Sequence, residues 1–316
     1  MIAFSKLFQK HGLEMRRSKT WVNVNCPFCK NPIDTHCNGG FSEGVPAFNC
    51  WRCGKHNWAE ALSLILNVSP IEAKKIARQY SSQSSLPIER KTSRGENLKM
   101  PGFESFTDGE REYLENRGFD INYLKKKFGI RGGGIAGEWS YRILIPIFYN
   151  ARLASWTGRS ILPREIIDQD KIPRYKNLSV EKSEINPKDI FFNLDNSRNN
   201  SVILVEGPFD VLKMGDNTIC SLGTSVTSAQ KLLLLKRYKK VFIAFDNEPA
   251  AQEKAKKLGK DLNSLGLEVE VVNICEDFGK NDPGELVLDE VIGIKKELEL
   301  FDEKEYKEFD ENYFNK

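Results

Sequence analysis

The chain has 316 residues, of which 40% are hydrophobic and 29% charged, with a formal net charge of +3. That is an ordinary composition for a water-soluble protein, with material for two or three domains. No apolar run approaches the ~20 residues of a membrane helix, and the opening Met1-Ile2-Ala3-Phe4-Ser5-Lys6 lacks a secretory stretch, so the expectation is a cytoplasmic protein without a membrane partner.

The small net charge conceals an asymmetry. Residues 1–100 carry 15 Lys/Arg against 7 Asp/Glu, and residues 289–316 carry 5 against 10. A basic first third suits contact with a polyanion, although charge alone is equally explained by solubility.

Residues 1–80 hold two CxxC pairs, Cys26/Cys29 and Cys50/Cys53, followed by helical spacing over 58–66 and a helix opened by Ser69-Pro70-Ile71-Glu72. Two such knuckles bring four thiolates to one tetrahedral Zn²⁺, and metal energy lets a small segment fold without a large core. Gly54, after the second knuckle, suits the turn that aims amides at the sulfurs. His36 and Cys37 lie between the pairs, and either could replace one thiolate; His11 and His56 are read as surface residues. Aromatics crowd this block (Trp21, Phe28, Phe41, Phe48, Trp51, Trp58) among Lys19, Lys30, Arg52 and Lys55. Aromatic faces stack on bases while cations hold phosphates, but half of these rings are expected in the small core.

Residues 81–100 are polar and read as a linker. Residues 101–200 begin with two capped helices, one after Thr107 ending near Gly118 and one after Asp120 ending near Gly129. A glycine loop, 132–134, and strands beginning at Arg142 and Leu153 follow. Residues 201–288 alternate short apolar runs (202–205, 219–222, 241–245, 269–274) with helical stretches (about 209–215, 227–238, 249–265). Alternation of this kind predicts a mainly parallel sheet flanked by helices. From Asp289 the chain is an acidic tail with room for one helix and little else.

In such a sheet, functional groups gather where strands end. Glu206 follows the run 202–205, Asp246 and Glu248 follow 241–245, Asp282 lies after the last run, and Asp210 stands one helical turn beyond Glu206. Crowded carboxylates need cations, and Mg²⁺ or Mn²⁺ with oxygen ligands serves phosphoryl chemistry. Each residue alone is equally explained as a helix-start acid.

The motifs Val205-Glu206-Gly207-Pro208-Phe209-Asp210, Leu222-Gly223-Thr224, Phe245-Asp246-Asn247-Glu248 and Asp282-Pro283 resemble those of TOPRIM domains. The segment before them, with Arg142-Ile143-Leu144-Ile145-Pro146-Ile147, Gly158-Arg159 and Pro173-Arg174-Tyr175-Lys176-Asn177, resembles the basic subdomain of DnaG-type primases of bacteria and phages. The knuckles followed by Trp58-Ala59-Glu60-Ala61-Leu62 are similar to the zinc domain of that family. The resemblance covers roughly residues 20–288. It implies an α/β protein of five parts: a zinc ribbon (1–80), a linker (81–100), a mixed α+β basic subdomain (101–200), a TOPRIM domain (201–288) and an acidic tail (289–316).

Activity and partners also follow from the resemblance. It implies a DNA primase, a DNA-directed RNA polymerase making short RNA primers on single-stranded DNA from NTPs, in a bacterial cell or a phage-infected host. Glu206, Asp246 and Glu248 would be catalytic. Asp210 and Asp282 would join them in holding Mg²⁺ or Mn²⁺, and one structural Zn²⁺ would sit on Cys26, Cys29, Cys50 and Cys53. Arg142, Arg159, Arg174 and Lys176 would bind DNA or NTP, unless they are solvated surface charges. No GxxxxGK[ST] loop occurs, so a replicative helicase is expected as a separate chain.

Three departures from the family pattern stand out. Glu248 replaces the second acid of Asp-x-Asp. Gly284 replaces the second acid of Asp-Pro-Asp, with Glu285 beside it as a possible substitute. Four cysteines replace three cysteines and a histidine, as in phage-type members. The competing readings are a non-catalytic single-stranded-DNA-binding zinc protein with a degenerate TOPRIM domain, and a TOPRIM nuclease.

Overall fold

The computed structural model of the chain describes residues 2–18, 20–29, 33–43, 46–81, 98–223 and 225–303. Most of the expected linker, Lys19 and Lys30 of the basic–aromatic set, Thr224, and the tail from 304 lie outside the described residues. The chain divides into two compact units. The first combines the N-terminal residues with Leu234–Lys240 and Lys256–Glu270; the second holds the rest from Ile88. Both inserted segments come from the 201–288 block, so the units do not follow its borders.

The first unit opens with helix α1 (Phe4–Lys10) and five strands: β1 (Arg16–Arg17), β2 (Trp21–Val24), β3 (Gly39–Ser42), β4 (Phe48–Cys50) and β5 (Gly54–His56). They form an antiparallel sheet in sequence order. Helices α2 (Trp58–Leu66) and α3 (Pro70–Gln79) follow, with Asn57 and Ser69 as their N-caps. Ser69 accepts the amide of Glu72, and Pro70 takes the first helical position, where its missing N–H costs nothing. Phe4, Leu7, Phe8, Val22, Phe41, Phe48, Trp58 and Leu62 fill the core. Of the six aromatics noted in the sequence, Phe41, Phe48 and Trp58 are buried, Trp21 and Phe28 half-buried, and Trp51 is 55% exposed. Within this unit Trp58 donates its indole N–H to Leu265 O, and Lys55 pairs with Asp261.

The second unit begins with α4 (Asp108–Glu115) and α5 (Ile121–Phe128). Thr107 and Glu110 close a reciprocal capping box on α4. Asp120 accepts the amide of Tyr123, and Gly129 ends α5 in the left-handed region, as the sequence predicts. Strands β6 (Arg131–Gly132), β7 (Arg142–Tyr149), β8 (Arg152–Ser160) and β9 (Tyr175–Asn177) form an antiparallel sheet, with α6 (Arg164–Gln169) between the last two. The glycine loop is tightly wedged: a Cβ on Gly133 would lie 1.9 Å from the carbonyl oxygen of Trp139.

The alternating block forms β10 (Ser201–Val205), α7 (Pro208–Met214), β11 (Thr218–Cys220), α8 (Ser228–Arg237), β12 (Lys240–Ile243), α9 (Pro249–Ser264) and β13 (Glu268–Val271). The sheet is parallel, in the order β11-β10-β12-β13. Its inner strands are buried beyond their first residues and the edge strand β11 is buried throughout, whereas the other edge, β13, alternates exposed and half-buried residues. Helix α10 (Leu288–Glu297) lies at the start of the acidic tail, and it buries Val291, Ile294 and the amine of Lys295. No described helix is long and apolar enough to cross a membrane.

Candidate metal centre and active site

In the first unit Cys26, Cys29, Cys50 and Cys53 converge, with all four sulfurs within 4.8 Å of one another. The Cys26–Cys53, Cys29–Cys50 and Cys29–Cys53 separations are 3.6, 3.7 and 3.5 Å. Ligands about 2.3 Å from a tetrahedral zinc stand about 3.8 Å apart, so the cluster fits that ion. The amides of Arg52 and Cys53 point at the Cys50 sulfur, at 3.4 and 3.5 Å, and Gly54 turns the chain at φ +93°. Burial pushes the Cys26 thiol up to about 11, whereas at Cys50 the amides of Cys53 and Arg52 outweigh burial and hold the thiol below its ordinary value. A divalent cation supplies what such a cluster lacks to exist as thiolates. Cys37 and His36 stand outside the set.

Two neighbours escaped the sequence reading. Asp34 is 2% exposed and accepts hydrogen bonds from the amides of Cys26, His36 and Asn38 and from Asn38 Nδ2, at 2.7–2.9 Å. Burial alone would raise its pKa, but these four donors outweigh burial and hold it at about 2. His56 is not a free surface group. Its ring is half-buried and stacks on Phe28, and Nε2 lies 3.0 Å from Cys53 Sγ.

The carboxylates meet in the second unit. Glu206 follows β10 directly, and the amide of Ala244, just past β12, bonds to Leu204 O, which carries Asp246 to the same sheet edge. Asp210 lies in the first turn of α7 and accepts the amide of Gly207 at 2.8 Å. Asp282 precedes a single 3₁₀ turn, Pro283–Glu285. Glu206, Asp210, Asp246 and Asp282 all line one cavity of about 410 Å³. Arg117, Arg159 and Arg174 line it too, so one space offers both acids and cations.

The acids are poorly stabilised as anions. Glu206 Oε1 and Asp246 Oδ1 are buried without a hydrogen-bond partner. Burial raises Glu206, and the Glu248 charge adds to it against Lys254. Burial and then Asp246 and Asp282 push Asp210 up to about 8. Burial, Glu206, Asp282 and Glu248 push Asp246 up to about 7, with Arg174 opposing. Orphaned carboxylate oxygens sharing a cavity are the donor set a hard divalent cation takes.

Other expected residues lie elsewhere. Glu248 is exposed and does not line the cavity, although its charge is felt there. Glu285 accepts the amide of Asn281 and does not replace the absent acid at 284. Gly284 itself is buried against the site: a Cβ there would meet Asp282 Oδ1 at 2.8 Å and Asp210 Oδ1 at 3.2 Å. Arg142 is buried and donates Nη1 to the carbonyls of Gly158 and Pro173, away from the cavity. Lys176 pairs with Glu138 at 3.2 Å and lies over Trp139. Arg159 does face the cavity, stacked on Tyr175 and Phe209 with Nε donating to Tyr113. Arg117, which the sequence reading missed, lies over Tyr113 and Phe209 just past the end of α4.

Comparison with known proteins bears on this geometry. A family model described as Toprim-like matches residues 203–287. The DNA primase of Aquifex aeolicus is 27% identical over 327 residues, a match covering 87% of this chain and 62% of that protein. The DNA primase of Clostridium acetobutylicum is 29% identical over 154 residues, covering 46% of this chain and 24% of that protein. An uncharacterized protein of Mycoplasma genitalium, MG010, is 30% identical over 175 residues, covering 51% of this chain and 72% of that protein. The chain thus spans about three-fifths of the first primase and a quarter of the second.

Proposed function

This chain belongs to the Toprim-bearing DNA primase family, and from that premise we propose that it makes short RNA primers on single-stranded DNA by metal-dependent nucleotidyl transfer. The observation carrying the proposal is the cavity itself, where four acids from three separate segments face three arginines. Single-stranded DNA as template and NTPs as substrates are its ligands, with a separate replicative helicase as partner and the cytoplasm as its place.

Each residue's role follows from its setting. Glu206, Asp210, Asp246 and Asp282 hold Mg²⁺ or Mn²⁺, and Glu248 adds negative field from outside the cavity. The bound ion would supply Lewis acidity toward the phosphate and a lowered pKa for an attacking hydroxyl. Arg117, Arg159 and Arg174 take the charge of the triphosphate. Arg159 suits that task because two rings and a hydroxyl fix its guanidinium before substrate arrives, so little order is lost on binding. Glu206, with an orphaned oxygen and a raised pKa, would serve either as one of these ligands or as the general base toward the attacking 3′-hydroxyl. Asp210 also fixes the start of α7 through Gly207.

Cys26, Cys29, Cys50 and Cys53 would hold Zn²⁺, which would cross-link the two knuckles of the first unit. Exposed Trp51, beside Arg52 and near Lys55, offers a stacking face with cations for an unpaired base. The reading as a non-catalytic DNA-binding protein leans on the missing acid at 284. Against it, Gly284 lies so close to Asp210 and Asp282 that a side chain there would displace acids already present. Incubation with a single-stranded template, NTPs and Mg²⁺ or Mn²⁺ tests the proposal. Template-dependent oligoribonucleotides are expected, and DNA binding without product would favour the non-catalytic reading.

A further inference from the structure

The cysteine cluster is uneven in its exposure. Cys26 and Cys50 are buried and Cys29 is half-buried, but Cys53 is exposed. Cys53 is followed by the turn at Gly54 and by β5, which ends at His56. Two constraints hold the imidazole in place. Strand β5 pairs with β4 so that His56 faces Phe48, and the ring stacks on Phe28 at 4.0 Å and 10°. Phe28 belongs to the first knuckle, so both knuckles contribute to fixing the ring. Nε2 then lies 3.0 Å from Cys53 Sγ, just outside the four-sulfur set. Among the described residues His56 is the histidine within hydrogen-bond distance of a cluster sulfur. Neither tetrathiolate binding nor the proposed catalysis requires a fixed imidazole at this point.

We infer that His56 is a reserve zinc ligand, which takes the fourth position through Nε2 when the Cys53 sulfur is removed from the metal. The inference rests on the reading of the four cysteines as a zinc site. Imidazole nitrogen and thiolate sulfur are both ordinary zinc donors, at about 2.0–2.1 and 2.3 Å. The nitrogen lies next to the sulfur it would replace, so the exchange needs a short approach of one ring into vacated space. The product is a three-cysteine, one-histidine site carrying one negative charge fewer. The exposed ligand is thereby backed up.

The test uses the full chain with Cys53→Ala, Cys29→Ala, His56→Ala and the Cys53→Ala, His56→Ala double change. Zinc per chain is measured after desalting, and Co²⁺-loaded samples report ligand type through thiolate charge-transfer intensity and the position of the d–d bands. The inference expects Cys53→Ala to keep about one zinc, with a Co²⁺ spectrum of three sulfurs and one nitrogen, and the double variant and Cys29→Ala to lose it. Equal zinc loss from Cys53→Ala and Cys29→Ala overturns it, as does a Cys53→Ala cobalt spectrum unchanged by adding His56→Ala.

A second measurement avoids any cysteine substitution. Brief iodoacetamide treatment of the folded, zinc-loaded chain forms an S–C bond at exposed Cys53 as iodide leaves. The chain alkylated there should keep zinc, and the His56→Ala chain so treated should release it. Zinc release from both alike also overturns the inference. Zinc absent from the untreated wild-type chain would instead sink the tetrathiolate reading beneath it.

Discussion

Among single residues, the cavity acids carry the clearest consequence. Asp246 and Asp210 are pushed up to about 7 and about 8, far above the ~3.9 of an unfolded Asp. Between those limits the folded chain binds protons that the unfolded chain has released. The contribution of these two acids to stability in magnesium-free buffer is therefore fully present below about pH 4 and is lost as pH rises from about 4 to about 8. Asp34 works in the opposite sense, losing its contribution only as pH falls toward about 2, so it is silent in that window. Thermal melts across this range should show the decline, Asp246→Asn should flatten it, and millimolar Mg²⁺ at pH 8 should reverse it. A midpoint that rises with pH and ignores Mg²⁺ would count against the shared-cation site. Residue type and strand position made Glu206, Asp210, Asp246 and Asp282 legible in the sequence. The expectation for Arg142 came from the resemblance alone, and its surroundings were not legible in the sequence: the fold buries it with Nη1 donating to the carbonyls of Gly158 and Pro173.

At the level of elements, local rules were readable wherever a cap or a period sets the boundary. Thr107, Asp120 and Gly129 mark their helices because side-chain caps and the left-handed turn act over a few residues. The edge position of β13 was not readable, since strand order is decided by distant segments. The role of Asp34 was equally hidden: a lone acid in a loop looks solvated until three amides and a side-chain amide fold around it. Asp34→Ala would leave those donors unpaired beside Cys26. A loss of roughly 3 kcal/mol is expected, since each buried donor left unmet costs about 1–3 kcal/mol and part will be recovered by water. Chemical denaturation and chelator competition should both register it, with zinc released more readily than from the wild type. An unaltered zinc affinity would mean the loop is held by the cysteines alone. Gly133→Ala probes the other unit, because its methyl would collide with Trp139 O. It should lower the melting point, while Gly137→Ala, with open space but φ +96°, should cost less.

For the whole molecule, the residues lining the cavity all belong to the second unit, and the cysteine cluster belongs to the first. Under the proposed function, the cysteine module would choose where synthesis begins and the cavity would join nucleotides. A fragment beginning at Met100 keeps every residue lining the cavity but strips the N-terminal residues from Leu234–Lys240 and Lys256–Glu270, so it should be less stable, retain weak nucleotidyl transfer and lose start-site preference. Identical start sites from fragment and full chain would refute that division. The central claim, that these acids form a metal-dependent polymerising site, is tested most directly by primer synthesis with the Glu206→Gln, Asp246→Asn double variant. Both changes keep size and remove charge, so the chain should fold and bind single-stranded DNA much as before. Oligoribonucleotide synthesis should fall by at least about 100-fold, the scale on which lost transition-state electrostatics acts. Primer synthesis within a few-fold of wild type would contradict the account.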